Sequence, residues 1–392
     1  MSAKIIDGKA LAEQVKQDVR RNVARLADRG LRPHLVAILV GESPEAELYA
    51  ANQKKSCEAI GIGYELKKLP ETTDSSVLAG TIKRLNVDAA VTGIMLHLPL
   101  PPHLDVAEMQ YQIDPVKDVE GVNPANIGYA VYRHTLIAPS TALAAVKLIE
   151  STGVPIRGAE AVMVGASDIV GKPVSILLTE RMATVTLCHI ATRDLAAHTS
   201  KADIVVVAVG KPGLIRAEHV REGAMVIDVG INRVTLPDGK KKTVGDVDFD
   251  AVKEKAGWIT PVPGGVGPMT VAMLLENTLR CAALTLKVDL GDDSVPATTQ
   301  DCPLIPIRHL QATLLRDLLR DTLKHSPEGL TTDEVYSRVL TSFGVENCRP
   351  YVNCPHYSTP HPEYKHVTRL ALWDGQRRGA LVRTGKGRWK LA

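Results

Sequence analysis

Between Ala10 and Ala27 the apolar residues Leu11, Val15, Val19, Val23 and Leu26 recur at steps of three and four, so one stripe of a helix faces a core. His34–Gly41 follows as a short continuous apolar run closed by glycine, which predicts a strand, and Pro44–Ile60 returns to helical spacing. A helix over Ser75–Leu85 and an apolar run from Ala89 to Leu96 come next; the run is stopped by Leu98-Pro-Leu-Pro-Pro102, because proline cannot donate to a sheet ladder. After a helix over Ser140–Gly153 the texture becomes regular. Strands are expected at Ala161–Gly165, Ala183–Cys188, Asp203–Val209 and Ala224–Gly230, with helices at Pro173–Glu180 and Met269–Leu286. Continuous Val/Ile runs alternating with helices are the pattern of a parallel sheet covered on both faces, so the fold class expected is α/β with a doubly wound, Rossmann-like sheet.

At Gly291 the pattern stops. Gly291 to Cys302 is polar, turn-rich and aperiodic, and reads as a linker. Beyond it lie an amphipathic stretch at His309–Lys324, a helix at Thr331–Leu340 behind the capping box Thr331-Thr-Asp-Glu334, and a helix at Glu363–Arg378. A hairpin at Ala380–Leu391 turning at Gly385-Lys-Gly387 completes a winged-helix-like order of elements. The domains read from this are 1–139 with 269–290, 140–268 for the dinucleotide, a linker at 291–307, and 308–392. Composition adds exclusions. The 392 residues carry 47 basic and 44 acidic side chains, too even a balance for a chain coated in nucleic acid. No signal-peptide pattern and no apolar run of membrane-spanning length are present, and six scattered cysteines fit reduced thiols, so a cytoplasmic location and no membrane partner are expected.

Two glycine-bearing segments carry the candidate chemistry. Val164-Gly-Ala-Ser-Asp-Ile-Val-Gly-Lys-Pro173 lies between a predicted strand and helix, where backbone N–H groups can hold a phosphate. Its spacing is not that of the common dinucleotide fingerprint, and a plain tight turn is the alternative. Pro261-Val-Pro-Gly-Gly-Val-Gly-Pro-Met-Thr270 is too rich in Gly and Pro for ordinary packing and reads as a rigid ligand-lining loop.

With these segments stand Tyr49, Leu98-Pro-Leu-Pro101, Pro115–Gly121, Asn126-Ile-Gly128, Ala208–Pro212, Asp228–Arg233 and Gly245-Asp-Val. Taken in order, they make residues 4–286 resemble the bifunctional methylenetetrahydrofolate dehydrogenase/methenyltetrahydrofolate cyclohydrolases, the FolD family. The resemblance implies a homodimer with folate in a cleft between a substrate domain and a dinucleotide domain. It implies hydride transfer from methylenetetrahydrofolate to NAD or NADP, then hydrolysis of the methenyl product. Folate contacts are carried over to Tyr49, Leu98, Pro99, Glu120, Gly121, Pro261, Gly264 and Gly265. Dinucleotide contacts are carried over to Gly165, Ala166, Ser167, Val170, Gly171, Pro173, Ile190, Ile231, Gly267 and Thr270. No resident metal is expected.

The sequence departs from the family at the reacting end. Hydrolysis needs a proton-transfer group, which relatives supply with a lysine four residues after the tyrosine and a glutamine before Leu-Pro-Leu-Pro. Here those positions are Gln53 and His97, and the aspartate that anchors the pterin is Glu120. Lys54 is turned about 100° away on the same helix and is no direct substitute. The catalytic set is therefore read as Tyr49, Gln53, His97 and Glu120, with a weak or lost cyclohydrolase step; retuned chemistry at His97 and plain loss both stay open. At the cofactor end, Ala166 and Ile190 replace side chains that pair with the extra phosphate of NADP, which favours NAD.

The C-terminal part lies outside the resemblance. Residues 361–392 hold eight basic against two acidic side chains, a net +6, which suits a DNA phosphate track or a protein-docking surface, the latter favoured. Cys348, Cys354, His356, His361 and His366 offer zinc-binding chemistry in a spacing that matches no finger, and a rigid proline-rich loop is the preferred reading. Two alternatives to the enzyme remain: a non-catalytic folate or nucleotide sensor acting through its winged helix, and a specialised enzyme on a related pterin or one-carbon substrate.

Overall fold

The computed structural model describes residues 2–132, 135–235, 239–286, 288 and 290, and, further on, 323–324, 330–343, 350–351, 361–362, 372, 381–383 and 388–391. It divides into units of residues 1–290 and 291–392. The first unit begins with β1 (Lys4–Ile5), α1 (Gly8–Asp28), β2 (His34–Val40), α2 (Pro44–Ala59), β3 (Gly63–Leu69), α3 (Ser75–Val87) and β4 (Gly93–Leu96). Helices α4 (Val106–Gln112), α5 (Pro124–Val131) and α6 (Ser140–Ser151) follow. The second half runs β5 (Glu160–Val164), α7 (Gly171–Glu180), β6 (Thr184–Cys188), α8 (Leu195–Thr199), β7 (Ile204–Val207) and β8 (Met225–Asp228). It closes with β9 (Asn232–Thr235), β10 (Lys241–Val244), α9 (Phe249–Lys253), β11 (Trp258–Ile259) and α10 (Val266–Leu286).

Two parallel sheets organise this unit. The first has the order β3-β2-β4, with the apolar run Leu35–Leu39 of its central strand wholly buried. The second has the order β1-β11-β8-β7-β5-β6, every pair parallel. Counted from β5, the order of the five strands of its second half reverses between β5 and β7, the crevice where such sheets receive ligands at their carboxyl ends. The N-terminal strand β1 adds to this second sheet, pairing Lys4 with Trp258 and Ile5 with Ile259.

In the first unit the predicted helices and strands are present with shifted ends. The strand expected from Ala89 starts at Gly93, because the Asp88 side chain accepts the Ala90 N–H in a turn. Helices expected from Pro173 and Met269 start at Gly171 and Val266, since a proline in the first turn forgoes only an N–H that has no intrahelical partner. The strands expected at 203–209 and 224–230 shorten to β7 and β8. Strand β3, Gly-Tyr-Glu-Leu-Lys-Lys-Leu, was not expected: its lysines fit an edge, and pairing with β2 defines it.

Helix α10 packs against α1 and α6 and carries Asn277, fully buried, whose amide donates to the carbonyls of Val119 and Ala138. Asn277→Ala would strand both carbonyls away from water. Its expected cost is about 2 kcal/mol, seen as a lower urea midpoint at unchanged slope; an unchanged midpoint would refute this role.

In the second unit the capping box is formed: Thr331 N–H donates to Glu334 and Glu334 N–H to Thr331 Oγ1 at the start of helix Thr332–Phe343. Strand Arg388–Leu391 pairs antiparallel with Leu381–Arg383 and with Leu330–Thr331, and the buried Trp389 indole donates to Thr332 Oγ1. The helices expected at 309–324 and 363–378 fall almost wholly outside the described residues, as do Cys348, Cys354, His356 and His366. Among the described residues there is no cluster that would hold a metal ion and no helix long and apolar enough to cross a membrane.

Candidate active site

Tyr49, His97 and Glu120, expected at the folate side, meet where β4 ends. Tyr49 and Gln53 stand one turn apart on α2, whose first turn is set by Pro44 and by Ser43 accepting the Ala46 N–H. The segment 117–119 runs alongside β4: Ile94 N–H donates to Lys117 at 2.7 Å, and Gly93 leaves room for Val119, which a Cβ would meet at 2.6 Å. This register brings Glu120 next to Leu96, whose backbone N–H its carboxyl accepts. Asp118, buried behind it, accepts the N–H groups of Gly121 and Asn123 and the Asn126 amide, and so fixes the turn that carries Glu120.

His97 and Tyr49 meet edge to face, ring centroids 5.7 Å apart. Tyr49 is 44% exposed and is the member that faces solvent, with its phenol raised by burial and by Glu120. His97 is 2% exposed; burial lowers it, so the ring is neutral, and its Nε2 has no partner. Burial, reinforced by the charge of Asp118, pushes Glu120 up to about 8. Gln53 is the residue that does not reach this group. It is 5% exposed, its amide nitrogen donates to Met95 Sδ at 2.8 Å and its oxygen accepts from Tyr64 Oη at 3.2 Å. Lys54 lies on the surface 3.8 Å from Glu58. The cluster therefore contains no ammonium group: it offers a phenol, a neutral imidazole and a carboxyl protonated near neutral pH. Leu98 and Pro99, joined by a cis bond, are exposed on the following turn.

The segments expected to hold the dinucleotide at Gly165–Pro173, Ile190 and Ile231 follow the carboxyl ends of β5, β6 and β8. Gly165 has φ +113°, and a Cβ there would stand 2.1 Å from the Ala208 carbonyl; at Gly171 it would stand 1.8 Å from the Gly165 carbonyl. The turn closes through Ser167, whose Oγ and carbonyl accept the N–H groups of Gly171 and Lys172. This leaves a backbone cradle at the start of α7 with Val170 and Pro173 in its wall, a shape that fits a dinucleotide phosphate. Ala166 lies two residues beyond β5 and the fully exposed Ile190 two beyond the neighbouring β6, while the Lys172 ammonium is engaged by Asp168 at 2.5 Å. Ile231 is exposed after β8. The Pro261–Gly265 turn, closed by Gly265 N–H on the Pro261 carbonyl, abuts Gly8 at the start of α1. Gly267 and Thr270 lie in the first turns of α10, where the Thr270 hydroxyl is bonded to Val266.

Sequence reasoning gave no role to Asp228, Asp246 and Asn232. Asp228 accepts from Gly230, Asp246 and Val247 N–H; Asp246 accepts from Val209 and Gly210 N–H and from the Asn232 amide. Their one sequence signal is that they stand in the glycine-bearing motifs Asp228-Val-Gly-Ile-Asn232 and Gly245-Asp246.

Residues 6–120 match the model of the tetrahydrofolate dehydrogenase/cyclohydrolase catalytic domain, and residues 139–286 that of its NAD(P)-binding domain. The bifunctional protein FolD of Moorella thermoacetica is 49% identical over 282 residues, 72% of this chain and 99% of that protein. Among solved structures, FolD of Campylobacter jejuni has 41% identity and a TM-score of 0.69, covering 72% of this chain and 99% of its own. The Trypanosoma brucei dehydrogenase-cyclohydrolase, complexed with NADP and an inhibitor, has 40% identity and a TM-score of 0.69, covering 73% and 99%. These matches support an enzyme and give no support to a sensor or to a specialised pterin activity.

Proposed function

The chain belongs to the tetrahydrofolate dehydrogenase/cyclohydrolase family and is an NAD(P)-linked enzyme of folate one-carbon metabolism, and from that premise we propose that its two steps are unequal. Oxidation of methylenetetrahydrofolate to methenyltetrahydrofolate proceeds in full, whereas hydrolysis of the methenyl group is weak or lost. The observation that carries this reading is Gln53, whose amide is spent on Met95 and Tyr64 where a proton-transfer group is needed. Hydride transfer asks chiefly that two rings be held face to face, which Tyr49, Leu98, Pro99, Pro261 and the Gly264-Gly265 turn serve by shape. The nicotinamide cofactor supplies the hydride acceptor, and Gly165–Pro173, Ile231, Gly267 and Thr270 are its proposed holders, with NAD favoured. His97 is the group left for any proton transfer. We place the enzyme in the cytoplasm as a homodimer, in line with the buried free thiols of Cys57, Cys188 and Cys281, and assign the C-terminal unit to protein docking rather than DNA binding.

The test is to supply methylenetetrahydrofolate with NAD or NADP and follow methenyl by absorbance. Accumulating methenyl is the expected result; its immediate conversion to formyltetrahydrofolate would overturn the proposal.

Glu120 adds a pH dependence. A carboxyl near 8 is mostly protonated at pH 7, while the amino and ring N–H donors of a pterin need the carboxylate. Raising the pH from 7 to 9 is therefore expected to lower the folate KM roughly tenfold. Glu120→Gln should flatten this profile; an equal slope in both proteins would remove Glu120 from the folate site.

A further inference from the structure

The geometry points to Asp246 as a positioning residue for the dinucleotide, acting through the two loops that flank the β7–β8 end of the crevice and touching neither ligand. Asp246 is wholly buried, and its carboxylate is the common acceptor for three donors from two loops. One oxygen takes the N–H groups of Val209 and Gly210, at 2.7 and 2.9 Å, from the turn after β7. The other takes the Asn232 side-chain amide at 2.8 Å, from the segment after β8. Between the two, Gly230 passes so close that a Cβ would stand 2.2 Å from the carboxylate carbon.

The hub is itself held in place. Asp228, at the end of β8, accepts the Asp246 and Val247 N–H groups at 3.0 and 2.9 Å and the Gly230 N–H at 2.9 Å. Its own backbone is pinned by Thr260 Oγ1 accepting the Asp228 N–H at 2.8 Å, which ties the arrangement to the strand before the Pro261–Gly265 turn. No cation neutralises Asp246 among its described partners; dipolar N–H groups do so, and such a carboxylate holds its donors with charge-assisted bonds. The loops it fixes present Val209 and Ile231 to solvent, two exposed apolar side chains at the carboxyl ends of adjacent strands. A flat nicotinamide ring requires such a surface at fixed spacing. Asp246 sets that spacing, because Val209 and Asn232 share its one carboxylate.

This inference rests on the dinucleotide lying in the crevice as proposed above. The test compares Asp246→Asn with the native enzyme, measuring the dinucleotide KM, kcat at saturation, and the dissociation constant of a tetrahydrofolate analogue. An amide keeps one acceptor for Val209 and Gly210 but turns its NH2 against that of Asn232. The dinucleotide KM is expected to rise roughly tenfold to a hundredfold, with kcat changed less and the folate analogue bound as before. The paired variant Asp246→Asn with Asn232→Asp restores a donor opposite an acceptor and is expected to recover most of the KM. An unchanged KM, equal weakening of both ligands, or no recovery in the paired variant, each in protein that melts cooperatively, would overturn it. A native enzyme that binds folate and no dinucleotide would overturn the placement as well, which separates the two failures.

Discussion

Gln53→Lys is expected to raise hydrolysis of methenyltetrahydrofolate by about 10²- to 10⁴-fold over the native chain, the range a positioned proton-transfer group contributes. The native amide is satisfied on both sides by Met95 and Tyr64, so it neither reaches a reacting atom nor takes up a proton. A lysine in its place would turn the Tyr64 hydroxyl, which donates to the native amide, into an acceptor, and would put an ammonium one helical turn from Tyr49 on α2. Burial would favour its neutral form, and Glu120 would favour its charged form once that carboxyl ionises near pH 8, the balance a proton shuttle requires. The dehydrogenase rate should move little, since that step depends on holding the rings. Stopped-flow loss of methenyl absorbance measures the effect, and a native chain that already hydrolyses as fast as the variant would sink the argument. Adding His97→Gln to the lysine variant should keep the gained activity. His97→Gln alone should abolish whatever hydrolysis the native enzyme retains, because the buried imidazole is the one remaining nitrogen with an open valence there.

Ala166→Arg is the second large effect: it should move the ratio of NADP to NAD specificity roughly tenfold to a hundredfold toward NADP, the worth of one or two charge-assisted bonds to a phosphate dianion. Ala166 and Ile190 each lie two residues beyond the paired strands β5 and β6, and Lys172 of the same turn is held by Asp168. Neither Ala166 nor Ile190 can pair with the extra phosphate of NADP. Kinetic constants for both cofactors settle it; a native enzyme already preferring NADP would show that another cation, such as Arg193, performs the discrimination.

The strands read most directly from sequence are continuous runs of buried apolar residues. Val36 to Leu39 and Ile204 to Val207 are continuous apolar runs because helices cover both faces of their sheets. Strand β3 escaped because its Glu65, Lys67 and Lys68 face partly outward at the edge, and β1 because two residues form a strand only through the partner they meet at Trp258 and Ile259. The departure at Gln53 was visible as a letter; that its side chain turns to Met95 and Tyr64 was not, since both partners come from other elements. Asp246 was hidden for a related reason. Two of its partners are backbone N–H groups, which every residue has, and they come from positions 209 and 210.

The pairing of β1 with β11 also orders events at the ribosome. Lys4 and Ile5 are synthesised well before their sheet partners Trp258 and Ile259; α1 likewise waits for α10 to cover it. The nascent chain therefore holds β1 and α1 without these partners until nearly all of the first unit has been translated, so closure of this fold is a late, long-range event. Any chaperone that serves this protein meets an exposed amphipathic α1 for most of that time.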